Sequence, residues 1–185
     1  LKQISSASIQ YSTVIRDGAL KGANAVTYPA TNLAKQLGIV AKLITGGLET
    51  PVYLCTIGGF DTHANQLNQH ANLWKQISDA VTAFQKDLKA QNKGNKVTLM
   101  TFSEFGRRVN QNGTTGTDHG TAAPLFVIGN TVRGGLIGDN PNLVNLDSNG
   151  DLKPNFDYRQ VYSTILSDHL GLSTTATDGI FKKSF

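Results

Sequence analysis

Apolar positions recur at steps of three and four along one long stretch of the chain. Leu67, His70, Trp74, Ile77, Val81, Phe84 and Leu88 draw a stripe down one face of a helix predicted over residues 65–91, and the polar run 92–95 ends it. A shorter stripe of Leu33, Leu37, Val40, Ala41 and Ile44 predicts a helix over 32–45, opened by Thr31 as N-cap and closed by Gly46-Gly47. Two other runs are continuous in apolar character rather than periodic. Residues 51–57, stopped by Gly58-Gly59, and residues 97–102 have the length of strands buried on both faces, and 125–128 adds a third short one. A strand, a long helix and a strand then read as one βαβ unit with parallel strands.

The flanks carry weaker patterns. Residues 1–27 scatter Leu1, Ile4, Ile9, Tyr11, Val14 and Ile15 among polar positions, the mark of a weak helix or of the tail of another element. Val161, Ile165 and Leu166 predict a last helix over 158–170, capped by Gly171, and Asn149-Gly150 between Leu146 and Leu152 predicts a hairpin tip. With no repeat, low-complexity tract or linker, residues 1–185 read as a single α/β domain behind a poorly defined leading segment, 1–27. The chain opens on Leu1 rather than Met and reaches its first strand only near Pro51, so it is expected to be a piece of something longer.

Composition narrows the class. An apolar fraction of 39% against 16% charged is that of an ordinary globular domain. The 17 basic and 13 acidic residues leave a net charge of +4, but the basic ones are scattered, with Arg107-Arg108 and Lys182-Lys183 the only adjacent pairs, which argues against nucleic acid as a partner. No run approaches the roughly 18 apolar residues of a membrane span. Cys55 stands alone, so neither a disulfide framework nor a thiolate metal site is expected.

Candidate chemistry gathers just after the predicted strands, where an open parallel sheet collects ligands. Gly59-Phe60-Asp61-Thr62-His63 follows the first strand, Ser103-Glu104-Phe105-Gly106-Arg107-Arg108 follows the second, and Asp118-His119-Gly120 precedes the third. Two imidazoles and a carboxylate are the donor set of a zinc ion that keeps one position open. Thr62 could orient a ligand, and Arg107 offers a fork of donors to an anion. Plainer readings stand beside these. Asp61 can cap the helix that starts near Asn65, Asp118 can do turn work, His70 fits a hydrogen-bonded core histidine, and His169 suits the end of a helix dipole. Residues 147–151 open like a calcium loop, but Leu152 stands where that loop needs glycine and Tyr158 where it needs glutamate, so the segment reads as a turn. Asn112-Gly113-Thr114 fits a glycosylation sequon.

Taken in order, Gly59-Phe60-Asp61-Thr62-His63, the run from Thr101 through Glu104, Phe105 and Arg107 to Arg108, and the run from Gly116 through Asp118 and His119 to Pro124 resemble the signature of a bacterial family of unknown function. That family is often made with twin-arginine export signals and is grouped with the alkaline phosphatases and sulfatases. Gly134-Gly135-Leu136 and Asp157-Tyr158-Arg159 suit it too, and the resemblance covers about residues 30–172. It implies the carboxyl-terminal half of a three-layer α/β fold with a mostly parallel sheet, a periplasmic or secreted location, and hydrolysis of a small anionic phosphate or sulfate ester.

The resemblance also implies that Asp61, His63 and His119 bind a divalent metal, zinc first, although Asp-x-His is tighter than the superfamily's usual spacing. Glu104-Phe105 stands where a second metal would find an Asp-His pair, which leaves Glu104 as a weak second ligand or base, and the nucleophile is expected upstream of this chain. Metal in this piece alone is accordingly expected to be weak or absent, and the piece inactive. The competing expectation is a non-catalytic exported protein of the same fold that keeps a vestigial metal site and works by binding.

Overall fold

The computed structural model describes residues 2–184, with side chains from Tyr11 onward. The chain divides into two compact units, residues 1–97 and 98–185.

The first unit is built on helices. Helices α1 (Lys2–Lys21), α2 (Asn32–Thr45) and α3 (Gln66–Ala90) are followed by a 3-10 turn at Gly94–Lys96. Thr31 caps α2 as the sequence predicts, its hydroxyl accepting from the Ala34 N–H at 3.3 Å. The other end closes in a Schellman motif. Gly47 takes φ +88°, Leu48 N–H donates to Leu43 O at 2.9 Å and Gly47 N–H to Ile44 O at 3.3 Å. Just before it, Gly46 and Gly22 let α1 and α2 approach closely, because a Cβ on Gly46 would strike the Gly18 carbonyl and one on Gly22 the Lys42 carbonyl.

The buried apolar residues are Leu33, Ala34, Leu37, Ala41 and Leu43 of α2 and Ala80, Val81, Phe84 and Leu88 of α3. The α3 stripe is fully buried only in its second half; Leu67 is 83% exposed, and His70, Trp74 and Ile77 are half-buried. Asp87 lies in the middle of that buried stripe, fully removed from solvent. Its carboxylate accepts from the Ala25 N–H (2.7 Å), Asn24 Nδ2 (2.9 Å), the Tyr28 hydroxyl (2.9 Å) and Gln91 Nε2 (2.7 Å). Asn24 and Gln91 each spend a second bond, on Gly38 O and Ala23 O, so the loop between α1 and α2 is tied to both α2 and α3 through one carboxylate. Burial pushes the Asp87 pKa up, the four donors pull it further down, and it ends below its ordinary value.

The second unit contains β1 (Leu99–Met100), β2 (Gly106–Gln111), β3 (Thr117–Gly120), β4 (Val127–Ile128), α4 (Tyr158–Asp168) and α5 (Thr174–Phe181). Here β2 pairs with β3 antiparallel, with Gly106 opposite Gly120 and Arg107 opposite His119, and β1 pairs with β4 antiparallel. Asp157 caps α4 and at the same time grips the Arg159 guanidinium at 2.9 and 3.1 Å, which drives its own pKa down to about 2. Asn149-Gly150 forms a turn, with Gly150 at φ +79° and Asp147 N–H bonded to Asp151 O at 2.9 Å, but no ladder flanks it. Helix α5, capped by Ser173, was not foreseen from the sequence.

The expected three-layer fold with a mostly parallel sheet is overturned. The chain is helix-rich, and the sheets among the described residues are two small antiparallel pairs. The reason is clearest at residues 51–57. The segment is extended, but its backbone partner among the described residues is a side chain: Gln36 Nε2 donates to Thr56 O and Oε1 accepts from Thr56 N–H, both at 2.9 Å. Exposure alternates along it, with Val52 at 66% and Leu54 at 69%. An apolar run states a preference for burial, whereas a strand requires a neighbouring backbone, and here no backbone supplies one. Within 97–102 only Leu99 and Met100 are paired, and within 125–128 only Val127 and Ile128, to each other and in the antiparallel sense.

Candidate metal centre

The loop after the extended segment places two of the predicted ligands. Gly59 turns the chain at φ +96°, and Phe60 then lays its ring edge-on against His70 (5.2 Å between centroids) and Trp74 (5.6 Å) of α3. That packing is where the first half of the apolar stripe is used, and it fits the reading of His70 as part of the helix's packing face. Thr62 is buried, its hydroxyl accepting from Gln66 Nε2 at 2.9 Å and its N–H donating to Phe60 O at 2.9 Å. Thr62 therefore braces the loop rather than presenting its hydroxyl to a ligand. With Thr62 turned inward, Asp61 and His63 are left exposed, and His63 Nε2 stands 3.0 Å from Asp61 Oδ1. The N-cap position of α3 belongs to Asn65, in the left-handed region and without a side-chain cap bond, so Asp61 does not cap the helix.

The hairpin β2–β3 positions His119. Its imidazole stacks face to face on the Phe105 ring, with centroids 3.9 Å apart and planes 5° from parallel. The Arg107 guanidinium sits 5.0 Å from the centre of the same ring, and its Nη1 donates to the Thr117 carbonyl. Asp118 Oδ1 accepts from Asn112 Nδ2 at 3.2 Å, which is the turn role the sequence offered as its plainer reading. Asn112, the first residue of the sequon, uses its own Oδ1 to accept from Thr114 N–H, Thr114 Oγ1 and Gly116 N–H. Arg108 pairs with the buried Asp151 at 3.4 Å.

Asp61 and His63 form a candidate pair of metal ligands in the first unit, and His119 offers an exposed imidazole in the second. Ligands held 2.0–2.1 Å from a single zinc stand roughly 3.3 Å apart in a tetrahedron. The separation of His63 from Asp61 already has that size, and two imidazoles with one carboxylate are zinc's preferred donors for a site with an open position. Glu104 is exposed, and Arg107 is engaged with Thr117 and the Phe105 ring. What the sequence did not reveal is Phe105's part: it was read as the place of a missing ligand, but its ring is the surface on which His119 lies. His169, read as a helix-dipole residue, makes a 3.2 Å contact from Nδ1 to the Thr98 hydroxyl.

No helix among the described residues is long and apolar enough to cross a membrane. No curated protein matches the chain, and no solved structure matches it. A family model described as "Protein of unknown function (DUF1501)" matches residues 32–177, which takes in every candidate ligand, and the chain belongs to that family.

Proposed function

We propose that Asp61, His63 and His119 hold one divalent cation, zinc first, and that the chain is part of an exported, metal-dependent hydrolase acting on small phosphate or sulfate esters. The observation that carries this reading is the exposed Asp61–His63 pair, with Nε2 3.0 Å from Oδ1 on a braced loop, in a chain whose second unit exposes the imidazole of His119. A cation there would supply a Lewis acid for an ester oxygen and a lowered pKa for bound water. Asp61 and His63 would meet it from a loop fixed by Thr62 and Phe60, and His119 from a hairpin fixed by the Phe105 stack. Arg107 lies opposite His119 in the β2–β3 register, where its charge favours an anionic substrate, and Glu104, two residues before the start of β2, is the available carboxylate base.

A second reading has a specific observation in its favour. Phe105 stacks on His119 at the position where the resemblance would place a further metal ligand, so a second ion has no imidazole there. On this reading the site is vestigial and the protein works by binding. Elemental analysis of the full-length protein purified without chelator separates the two. About one zinc per chain, lost in His119→Ala, supports the metal site, and metal-free protein from zinc-replete growth contradicts it.

A further inference from the structure

The first unit contains an open cavity of about 450 Å³ between the start of α2, the segment 56–58 and the middle of α3. Its size is that of a small-molecule site. The lining carries no charged residue. Leu33, Ile57 and Leu73 make the apolar part, and the polar part is made of the carboxamides of Asn32, Gln36 and Gln76 with Thr56. Gln36 is committed, its amide locked at both ends onto the Thr56 backbone, and this fixes the wall of the cavity. The side chains of Asn32 and Gln76 make no hydrogen bond among the described residues, so two carboxamides face the cavity's chemistry unspent.

From this lining we infer a binding site for a small neutral, hydroxyl-rich ligand of the mono- or disaccharide class. A carboxamide offers two donors and an acceptor, which suits a hydroxyl that both donates and accepts. An anion would want a cation in the wall, and a cation a carboxylate, and neither lines it. An apolar ligand would strand the two amides. The apolar side chains match the C–H faces of a sugar ring, and the bounded cavity suits one or two rings better than an extended peptide. The site is independent of Asp61, His63 and His119.

The test is a nuclear magnetic resonance titration of the 15N-labelled chain with maltose, cellobiose and, separately, triglycine amide. Saturable shifts of the Asn32 and Gln76 side-chain NH₂ signals with either disaccharide are expected. Apparent affinity should fall about tenfold or more in Asn32→Ala/Gln76→Ala, the effect of two lost hydrogen bonds. Gly58→Leu gives a second variant, because a Cβ there meets nothing within 4 Å, so the chain tolerates it while the side chain crowds the cavity mouth. Binding should weaken there too. The inference fails if neither sugar shifts those signals, if the affinity read from the backbone amides of Ile57 and Leu73 is unchanged in both variants, or if triglycine amide alone binds.

Discussion

Replacing Asp87 should unfasten the first unit more than any other single polar substitution in it. In Asp87→Ala the Asn24 and Gln91 amides keep their second partners, Gly38 O and Ala23 O, but the Ala25 N–H and the half-buried Tyr28 hydroxyl lose their charged acceptor. Two lost hydrogen bonds to a charged acceptor, at about 1.5–3 kcal/mol each, together with a small cavity, give a loss of about 3–5 kcal/mol. Asp87→Asn keeps the shape but turns one acceptor into a donor that faces donors, and about 2–3 kcal/mol is expected. Against a total of about 5–15 kcal/mol, either variant should unfold at visibly lower urea, by roughly 1–3 M for a slope of about 1–3 kcal/mol per molar. Urea titration followed by circular dichroism measures this.

The pH dependence follows from the same bonds. Because the folded-state pKa of Asp87 lies below its ordinary value, its contribution is fully present above the ordinary carboxylate pKa and is lost as pH falls through the folded one. Wild-type stability should fall below about pH 4, and Asp87→Asn should lack that part of the slope. A shift in urea midpoint worth less than about 1 kcal/mol, or an unchanged acid slope in Asp87→Asn, would refute the view that this carboxylate ties the loop to both helices.

Two neighbouring glycines should respond for different reasons. Gly46→Ala places a methyl against the Gly18 carbonyl at φ −76°, so its cost is steric, about 1–3 kcal/mol, and an Ala at Gly47 meets no atom but must adopt φ +88°, costing about 1 kcal/mol. Thermal unfolding of both variants checks the order, and a larger loss for Gly47→Ala would contradict the close α1–α2 approach. Amide hydrogen exchange should divide the chain. Among the residues whose side chains are described, all the buried apolar ones fall between Leu33 and Leu88, whereas Leu136 (97%) and Val144 (91%) are almost fully exposed, so the slowest exchange should lie in α2 and α3. Equal protection across β1–β4 would contradict this. Phe105→Ala removes the surface under His119 without removing a ligand. It should weaken zinc binding about tenfold, less than His119→Ala does, and isothermal titration would show an unchanged affinity if the stack does nothing.

The helices were legible because their signals are local. Thr31, the 33–44 stripe and Gly46-Gly47 fix α2 to the residue, and the bounds of α3 and α4 are met within two residues. The sheet was not legible, because apolar runs at 51–57 and 97–102 do not specify which backbone lies alongside. Gln36 pairing with Thr56 is a side-chain event that no periodicity announces. The same holds for Asp87. A carboxylate in an apolar stripe reads as an interruption until its four donors, 59 to 63 residues away for three of them, are in view. For the candidate site, Asp61, His63 and His119 stand out in the sequence because such residues are few and of ligand type. The supports were not: Thr62 turned inward, and Phe105 became a platform.

The central claim is that those three side chains hold one metal. Isothermal titration of the apo full-length protein with zinc at neutral pH tests it most directly, with Asp61→Asn, His63→Ala and His119→Ala run alongside. One zinc per chain is expected, with affinity lowered about tenfold to hundredfold in every variant. Zinc uptake that survives intact in His119→Ala, or the absence of any saturable uptake by the wild type, would contradict the account.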